Sequence, residues 1–335
     1  MFKIALVDYD NHIMYDYSMY KAEFDKDEYQ VDEIKFHEGK EEAFVKALDG
    51  YDALIQSGGF FAFTPEMIKA LSTVKIIYVI GTGFVSELAA AAEEAGIMYC
   101  IVSDYSTKEV ADHACALILA LNRHLFGFNR AIQQDHVWNS RMFKGDMPKI
   151  EGLTLGICGF GAIGRAVAER MQVFGMNVIA YDPYVKPELA EEMNVKLVSF
   201  DEVLENSDYI ENAMALTPET TGIFNIDAFR KMKKKPYLIN SGRGGHIVED
   251  DIIEALDTGL IRGAGLDMLS KEVGVDLTLP NFARFLGREN VIITPHCGFF
   301  SDSVQAYQCK LCTGALKKLL NGDCSQSKIV NGIRP

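Results

Sequence analysis

Leu153-Thr154-Leu155-Gly156-Ile157-Cys158-Gly159-Phe160-Gly161-Ala162-Ile163-Gly164 decides the fold. The first six residues are a short β-rich apolar run, and the next six match G-x-G-x-x-G and open a helical pattern. A second strand, Asn177–Tyr181, ends in Asp182, eighteen residues past Gly164. Strand, glycine turn, helix, strand and acid in this order form the dinucleotide-binding fingerprint. Gly159 permits the tight turn, Gly161 lets backbone approach a pyrophosphate, and Gly164 lets the helix press on the sheet. Free N–H groups at the helix start, around Ala162 and Ile163, favour the anion. A carboxylate at Asp182 accepts hydrogen bonds from ribose hydroxyls and repels a 2′-phosphate, so NAD is expected rather than NADP. Arg165, next in the chain, is read as a solvated helix residue.

Further strand candidates follow at Tyr209–Asn212, Tyr237–Asn240, Ala264–Asp267 and Val291–Thr294. Helical patterns alternate with them at Ile163–Phe174, Phe200–Glu205, Ile226–Met232 and Glu249–Leu256. This is the strand complement of one complete dinucleotide fold. Before it, Phe2–Val7, Ala53–Gln56, Val74–Ile80 and Met98–Val102 read as strands, with helices at Glu41–Leu48, Pro65–Leu71 and Ser86–Ala95. Strands alternating with helices mean parallel sheets covered on both faces. Thr107–Ile132 reads as a long bridging helix broken only at Gly127. The helical tail Ser303–Leu320 is too short for a domain and is expected to return to the first one. The expected architecture is α/β, two Rossmann-like domains with doubly wound parallel sheets. A discontinuous substrate domain spans 1–106 and 300–335, and an NAD-binding domain spans 107–299. Hinges are expected near Ser103–Lys108 and Thr294–Ser303, where closure would expel water.

The chain has 335 residues, enough for about two domains. Hydrophobic residues make up 48% and charged residues 24%, which excludes a disordered chain. Lys and Arg number 33 against 47 Asp and Glu, a formal charge of −14. That balance argues against nucleic acid and against an anionic membrane surface as partners. The longest central apolar run, Ala114–Leu121, is far shorter than the roughly twenty residues of a membrane span. Seven scattered cysteines and no signal-like start point to reduced thiols in the cytoplasm. Cys309-x-x-Cys312 stands without a second pair, and no metal is expected.

Three more segments fall at strand ends: Asn240-Ser241-Gly242-Arg243-Gly244, Asp267 with Glu272 beyond it, and Thr294-Pro295-His296. Reducing a 2-oxo acid needs a cation for the carboxylate, a hydride donor, and an acid for the new alkoxide. Imidazolium suits the last role, and a neighbouring carboxylate favours its protonated form.

On these motifs the sequence resembles the D-isomer-specific 2-hydroxyacid dehydrogenases, most strongly from about Thr107 to Ser303. The resemblance implies that Arg243 binds substrate, that His296 is the acid/base and that Glu272 pairs with it. It implies cofactor contacts at Thr82, Ala215, Ser241, Arg243 and Asp267, the last to the nicotinamide carboxamide. The loop Gly81-Thr82-Gly83 matches the family's G-x-G loop, whose amides hold the substrate carboxylate. Glu272-Val273-Gly274, the pair Phe299-Phe300 and Tyr105-Ser106 resemble the D-lactate and D-2-hydroxyisocaproate dehydrogenase branch. Tyr105 and Phe299 would then wall a short aliphatic side chain. The run Phe84-Val85-Ser86-Glu87-Leu88 departs from the family pattern, and Ala215 stands where Pro is usual. Phosphoglycerate dehydrogenases often carry a further C-terminal domain, for which this chain has no room. A hydroxypyruvate or glyoxylate reductase is one alternative; an NADH-sensing scaffold like the C-terminal-binding corepressors is another. The family usually dimerises, which implies a homodimer through Ala131–Lys144, with Trp138 either an interface anchor or packed in its own chain.

Overall fold

The computed structural model describes residues 1–9, 17–57, 63–143, 145–270 and 280–335. It divides into two compact units, one of Met1–Tyr105 with Ser301–Pro335, the other of Ser106–Phe300.

In the first unit, strands β1 (Phe2–Tyr9), β2 (Tyr29–Phe36), β3 (Ala53–Ser57), β4 (Ile76–Ile80) and β5 (Met98–Ile101) form a parallel sheet. The period-two alternation of β1 sends Ile4 and Leu6 to one face and Ala5 and Val7 to the other, each into its own core cluster. Fully burying such an aliphatic side chain stabilises the fold by about 1.5–3 kcal/mol. The helix Val304–Leu320 covers the Ile4 face with Cys309, Cys312 and Leu316, so both thiols of the C-x-x-C are core residues.

Among the described residues, the second unit holds seven parallel strands. They are β6 (Thr154–Cys158), β7 (Asn177–Tyr181), β8 (Lys196–Leu197), β9 (Tyr209–Asn212), β10 (Tyr237–Asn240), β11 (Gly263–Leu266) and β12 (Val291–Ile293). Their order is β12-β11-β10-β9-β6-β7-β8. Strand order therefore reverses between β6 and β9, the switch point where open parallel sheets bind ligands. Strand β13 (Lys328–Ile329) adds an antiparallel edge beside β5 in the first unit.

The bridging pattern breaks at a different residue from the one expected. It forms two helices, Thr107–Asn122 and Leu125–Gln133. His124, left-handed at φ 50°, ends the first, and Gly127 lies inside the second. A side chain at Gly127 would collide with the His124 ring. The glycine thus makes room for the ring that turns the chain.

Candidate active site

Because the strands of the second unit run the same way, their carboxyl ends share one edge. The residues just past the ends of β6, β7, β9, β10, β11 and β12 are Gly159, Asp182, Ala213, Ser241, Asp267 and Thr294.

The glycine turn after β6 has no space for side chains where it meets its neighbours. Gly159 sits at φ +92°, and a Cβ there would lie 2.8 Å from the Ala213 carbonyl oxygen past β9. At Gly164 a Cβ would strike the Gly159 carbonyl. Gly161 faces open space and precedes the helix Ala162–Val173, leaving that helix start bare for an anion. Phe160 is fully buried beneath the turn. Asp182 accepts from the Phe160 amide at 2.8 Å through Oδ2, and from the Tyr184 amide at 2.9 Å through Oδ1. The carboxylate thus ties the end of β7 to the glycine turn. Arg165 donates to the Phe160 carbonyl at 3.0 Å, so it braces the turn rather than standing free in solvent. The bare helix start, the open face at Gly161 and the carboxylate at the second strand end together fit a dinucleotide.

Arg243 leaves the end of β10 on a loop braced from below. A Cβ at Gly244 would collide with the Leu269 backbone, so only glycine lets the loop lie this close. The Arg243 guanidinium donates to the Gly242 carbonyl at 2.7 Å. Asn240 donates to the Arg243 carbonyl at 3.1 Å, and Asn212 donates to Asn240 Oδ1 at 2.8 Å. Asn212 and Asn240 are register partners in β9 and β10. His246 completes this fully buried set. Its Nε2 lies 3.2 Å from the Ala215 carbonyl, and its Nδ1 lies 2.9 Å from the Arg243 carbonyl. Nδ1 also lies 3.0 Å from the Asn212 side-chain amide and 3.2 Å from the Arg243 amide nitrogen. Burial holds the His246 ring below the ordinary histidine range, outweighing its bonds to the Ala215 and Arg243 backbone. Sequence reading missed Asn212 and His246, because their role depends on cross-strand register.

Ser241 donates to Glu211, a fully buried carboxyl on β9 whose second oxygen has no hydrogen-bond partner. Burial pushes this carboxyl up to about 8; the Ser241 hydroxyl pulls it back and the Asp267 charge adds to the rise. Glu211 was also missed, since one acid among the apolar residues of a strand has no local signature.

Asp267, past β11, is 4% exposed and organises the loop that carries His296. Thr294 donates to Oδ1 at 2.6 Å, the Cys297 amide to Oδ1 at 3.0 Å and the Gly298 amide to Oδ2 at 2.9 Å. His113, on the helix Thr107–Asn122, stands 2.9 Å from the Thr294 hydroxyl. Burial works against the Asp267 carboxylate, but bonds from His113, Thr294 and the two amides more than offset it and lower its pKa. His296 itself is left-handed at φ 50° and donates its amide to the Asp267 carbonyl at 2.9 Å. The Phe299 ring stands edge-on to it at 5.7 Å. Glu272 lies outside the described residues.

The other expected site residues belong to the first unit. Gly81 is buried, with φ at +144°, and Thr82 is exposed on the same loop after β4. Gly83 is half-buried, and Tyr105 packs against the core of its own unit. Ala215 is exposed past the end of β9.

Residues 115–298 match the model of the D-isomer specific 2-hydroxyacid dehydrogenase NAD binding domain. The chain belongs to the D-isomer specific 2-hydroxyacid dehydrogenase family. Its dinucleotide is NAD, and the glycine turn with Asp182 is the part of the second unit that fits it. The D-3-phosphoglycerate dehydrogenase of Methanocaldococcus jannaschii is 33% identical over 303 residues, 90% of this chain and 56% of that protein. This chain thus spans little more than half of that relative. The hydroxypyruvate reductase of Blautia hydrogenotrophica is 33% identical over 79% of this chain and 81% of its own length. Among solved structures, the Aquifex aeolicus D-lactate dehydrogenase complexed with NAD and lactic acid is similar with a TM-score of 0.81. Its identity is 25%, over 96% of this chain and 97% of that one. Among the described residues, no helix is long and apolar enough to cross a membrane.

Two predictions follow from this geometry. Asp182→Ala removes the charge that would repel a 2′-phosphate, so the preference for NADH over NADPH, on the order of tenfold or more, should shrink. Paired titrations of the two cofactors measure it, and equal affinity in the unmodified protein would contradict the role. Glu211 keeps its proton when folded up to about 8 but loses it near 4.5 when unfolded. Its stabilising contribution is therefore complete below 4.5 and lost as pH rises to about 8. Glu211→Gln stays neutral throughout, so its melting temperature should gain on the unmodified protein as pH rises through that window. A pH-independent difference would place a charged carboxylate there instead.

Proposed function

We propose that this protein reduces a short, unphosphorylated 2-oxo acid to the D-2-hydroxy acid with NADH, as a D-lactate dehydrogenase-like enzyme. The carrying observation is that the nucleotide turn, the Arg243 loop and the His296 loop leave one sheet edge, the latter two each braced by buried polar side chains. Bound NADH supplies the hydride for the carbonyl carbon. Arg243 is assigned to the substrate carboxylate, where a planar guanidinium makes paired, charge-assisted hydrogen bonds and polarises the adjacent carbonyl. His296 is assigned the proton that the forming alkoxide takes, and Glu272 is assigned as its partner by the family likeness. The amides of Gly81 and Gly83, with Thr82, are assigned to the substrate carboxylate and cofactor, and Ala215, Ser241 and Asp267 to cofactor contacts. Tyr105 and Phe299 are assigned as walls for the aliphatic tail, with Phe299 supported by its place beside His296. A hydroxypyruvate reductase is the second reading, favoured by the Blautia relative.

We also infer a homodimer in a reducing, cytoplasmic setting. All seven cysteines are free thiols. Trp138 is 89% exposed, with Leu125 and Phe126 also exposed on the neighbouring helix, so the tryptophan is not packed within its own chain. A second copy is the proposed cover. Lys144, at the end of the proposed segment, lies outside the described residues.

His296→Ala should lower kcat by about two to four orders of magnitude while NADH binding persists. Near-normal turnover in that variant would remove His296 from the reaction. A methylene in an apolar pocket is worth about 1–3 kcal/mol, so rates with pyruvate, 2-oxobutyrate and 2-oxoisocaproate should be graded. Phe299→Ala should shift preference toward the longer tail; strict preference for a phosphorylated substrate would overturn the pocket. Light scattering should give a dimer that Trp138→Glu converts to monomer, and an unmodified monomer would contradict that interface.

A further inference from the structure

His113, Asp267 and Cys297 come from three separate places in the second unit: a sixteen-residue helix, the end of β11 and the loop after β12. Their ring nitrogen, carboxylate oxygen and thiol sulfur all lie within 4.8 Å of one another. The Asp267 carboxylate is buried, and His113 and Cys297 are partly exposed, so the cluster has both an anionic floor and an opening. Thr294 sits among them, accepting from His113 on one side and donating to Asp267 on the other. Thr294 thus holds the His113 ring and the Asp267 carboxylate together through hydrogen bonds.

Nitrogen, sulfur and carboxylate oxygen together match zinc. A tetrahedral zinc with bonds of about 2.0–2.3 Å needs donors roughly 3.3–3.8 Å apart, a modest contraction from the present spacing. Magnesium and calcium prefer all-oxygen shells and gain little from a thiol. Three protein donors leave a fourth position for a water molecule, as in open zinc sites.

We propose that His113, Asp267 and Cys297 form a zinc-binding site whose occupation competes with NADH. On binding, the Cys297 S–H bond breaks and a Zn–S bond forms, and the proton leaves to solvent. The His113 ring proton moves from Nε2 to Nδ1, so Nε2 can ligate. Zinc also draws on the carboxylate that holds the Cys297 and Gly298 amides, and so loosens the loop carrying His296. The competition rests on the reading of Asp267 as a nicotinamide contact; the site itself does not.

The test is titration of the unmodified full chain with zinc against a chromophoric chelator, alongside His113→Ala, Cys297→Ser and Cys324→Ser. Cys324 is the exposed thiol and serves as the control. One equivalent should bind, weaken at least about tenfold in the first two variants, and persist in the third. Saturating zinc should raise the apparent Kd for NADH, followed by nucleotide fluorescence, in the unmodified protein and not in Cys297→Ser. Lack of stoichiometric binding, or equal binding by Cys297→Ser, overturns the site. Bound zinc that leaves the NADH affinity unchanged overturns the competition. Failure to bind NADH without any zinc counts instead against the reading of function.

Discussion

The parallel direction of the seven strands in the second unit is the constraint on which the rest depends. In an antiparallel sheet the loops after successive strands would fall on opposite edges. Here the glycine turn, Asp182, the Arg243 loop, Asp267 and the His296 loop all emerge from one edge. Parallel strands need crossovers, and the crossover helices bury both sheet faces. That burial supplies the apolar area that holds the sheet rigid beneath the loops.

Rigidity at that edge comes from buried polar groups rather than from more hydrocarbon. A loop over a sheet edge leaves amides that must find acceptors. Asp182 serves the glycine turn, Asp267 serves the His296 loop, and Asn212, Asn240 and His246 serve the Arg243 loop. Each hydrogen bond is worth only about 0.5–1.5 kcal/mol net, whereas an unpaired buried partner costs about 1–3 kcal/mol. Such sets therefore fix one loop geometry more than they add stability. Glu211 shows the cost side, since its buried second oxygen is unpaired and its carboxyl holds its proton to about 8.

Much of this architecture was legible in the sequence. β6, β7, β9 and β10 coincide with the runs read from periodicity, because each is bounded by glycine, a polar turn residue or proline. β2 was missed: its residues Tyr29–Phe36 include Asp32, Glu33 and Lys35 and are buried only at the two ends, as suits an edge strand. β8 and β13 are two residues each, too short for any period. The bridging helix breaks at His124 because a left-handed histidine, not the nearby glycine, turns the chain. The motif-bearing residues at the site were legible because glycine turns and strand-end acids carry local signals. The supporting set was not, because Asn212 meets Asn240, and Glu211 meets Ser241, only through the register of β9 against β10.

The central claim is that this edge delivers hydride and proton to one face of a short 2-oxo acid. It is tested most directly by the configuration of the product, resolved by chiral chromatography after NADH-dependent reduction of pyruvate or 2-oxobutyrate. The account predicts the D enantiomer in amounts equal to the NADH consumed. An L product, or no NADH consumption with either acid, would contradict it.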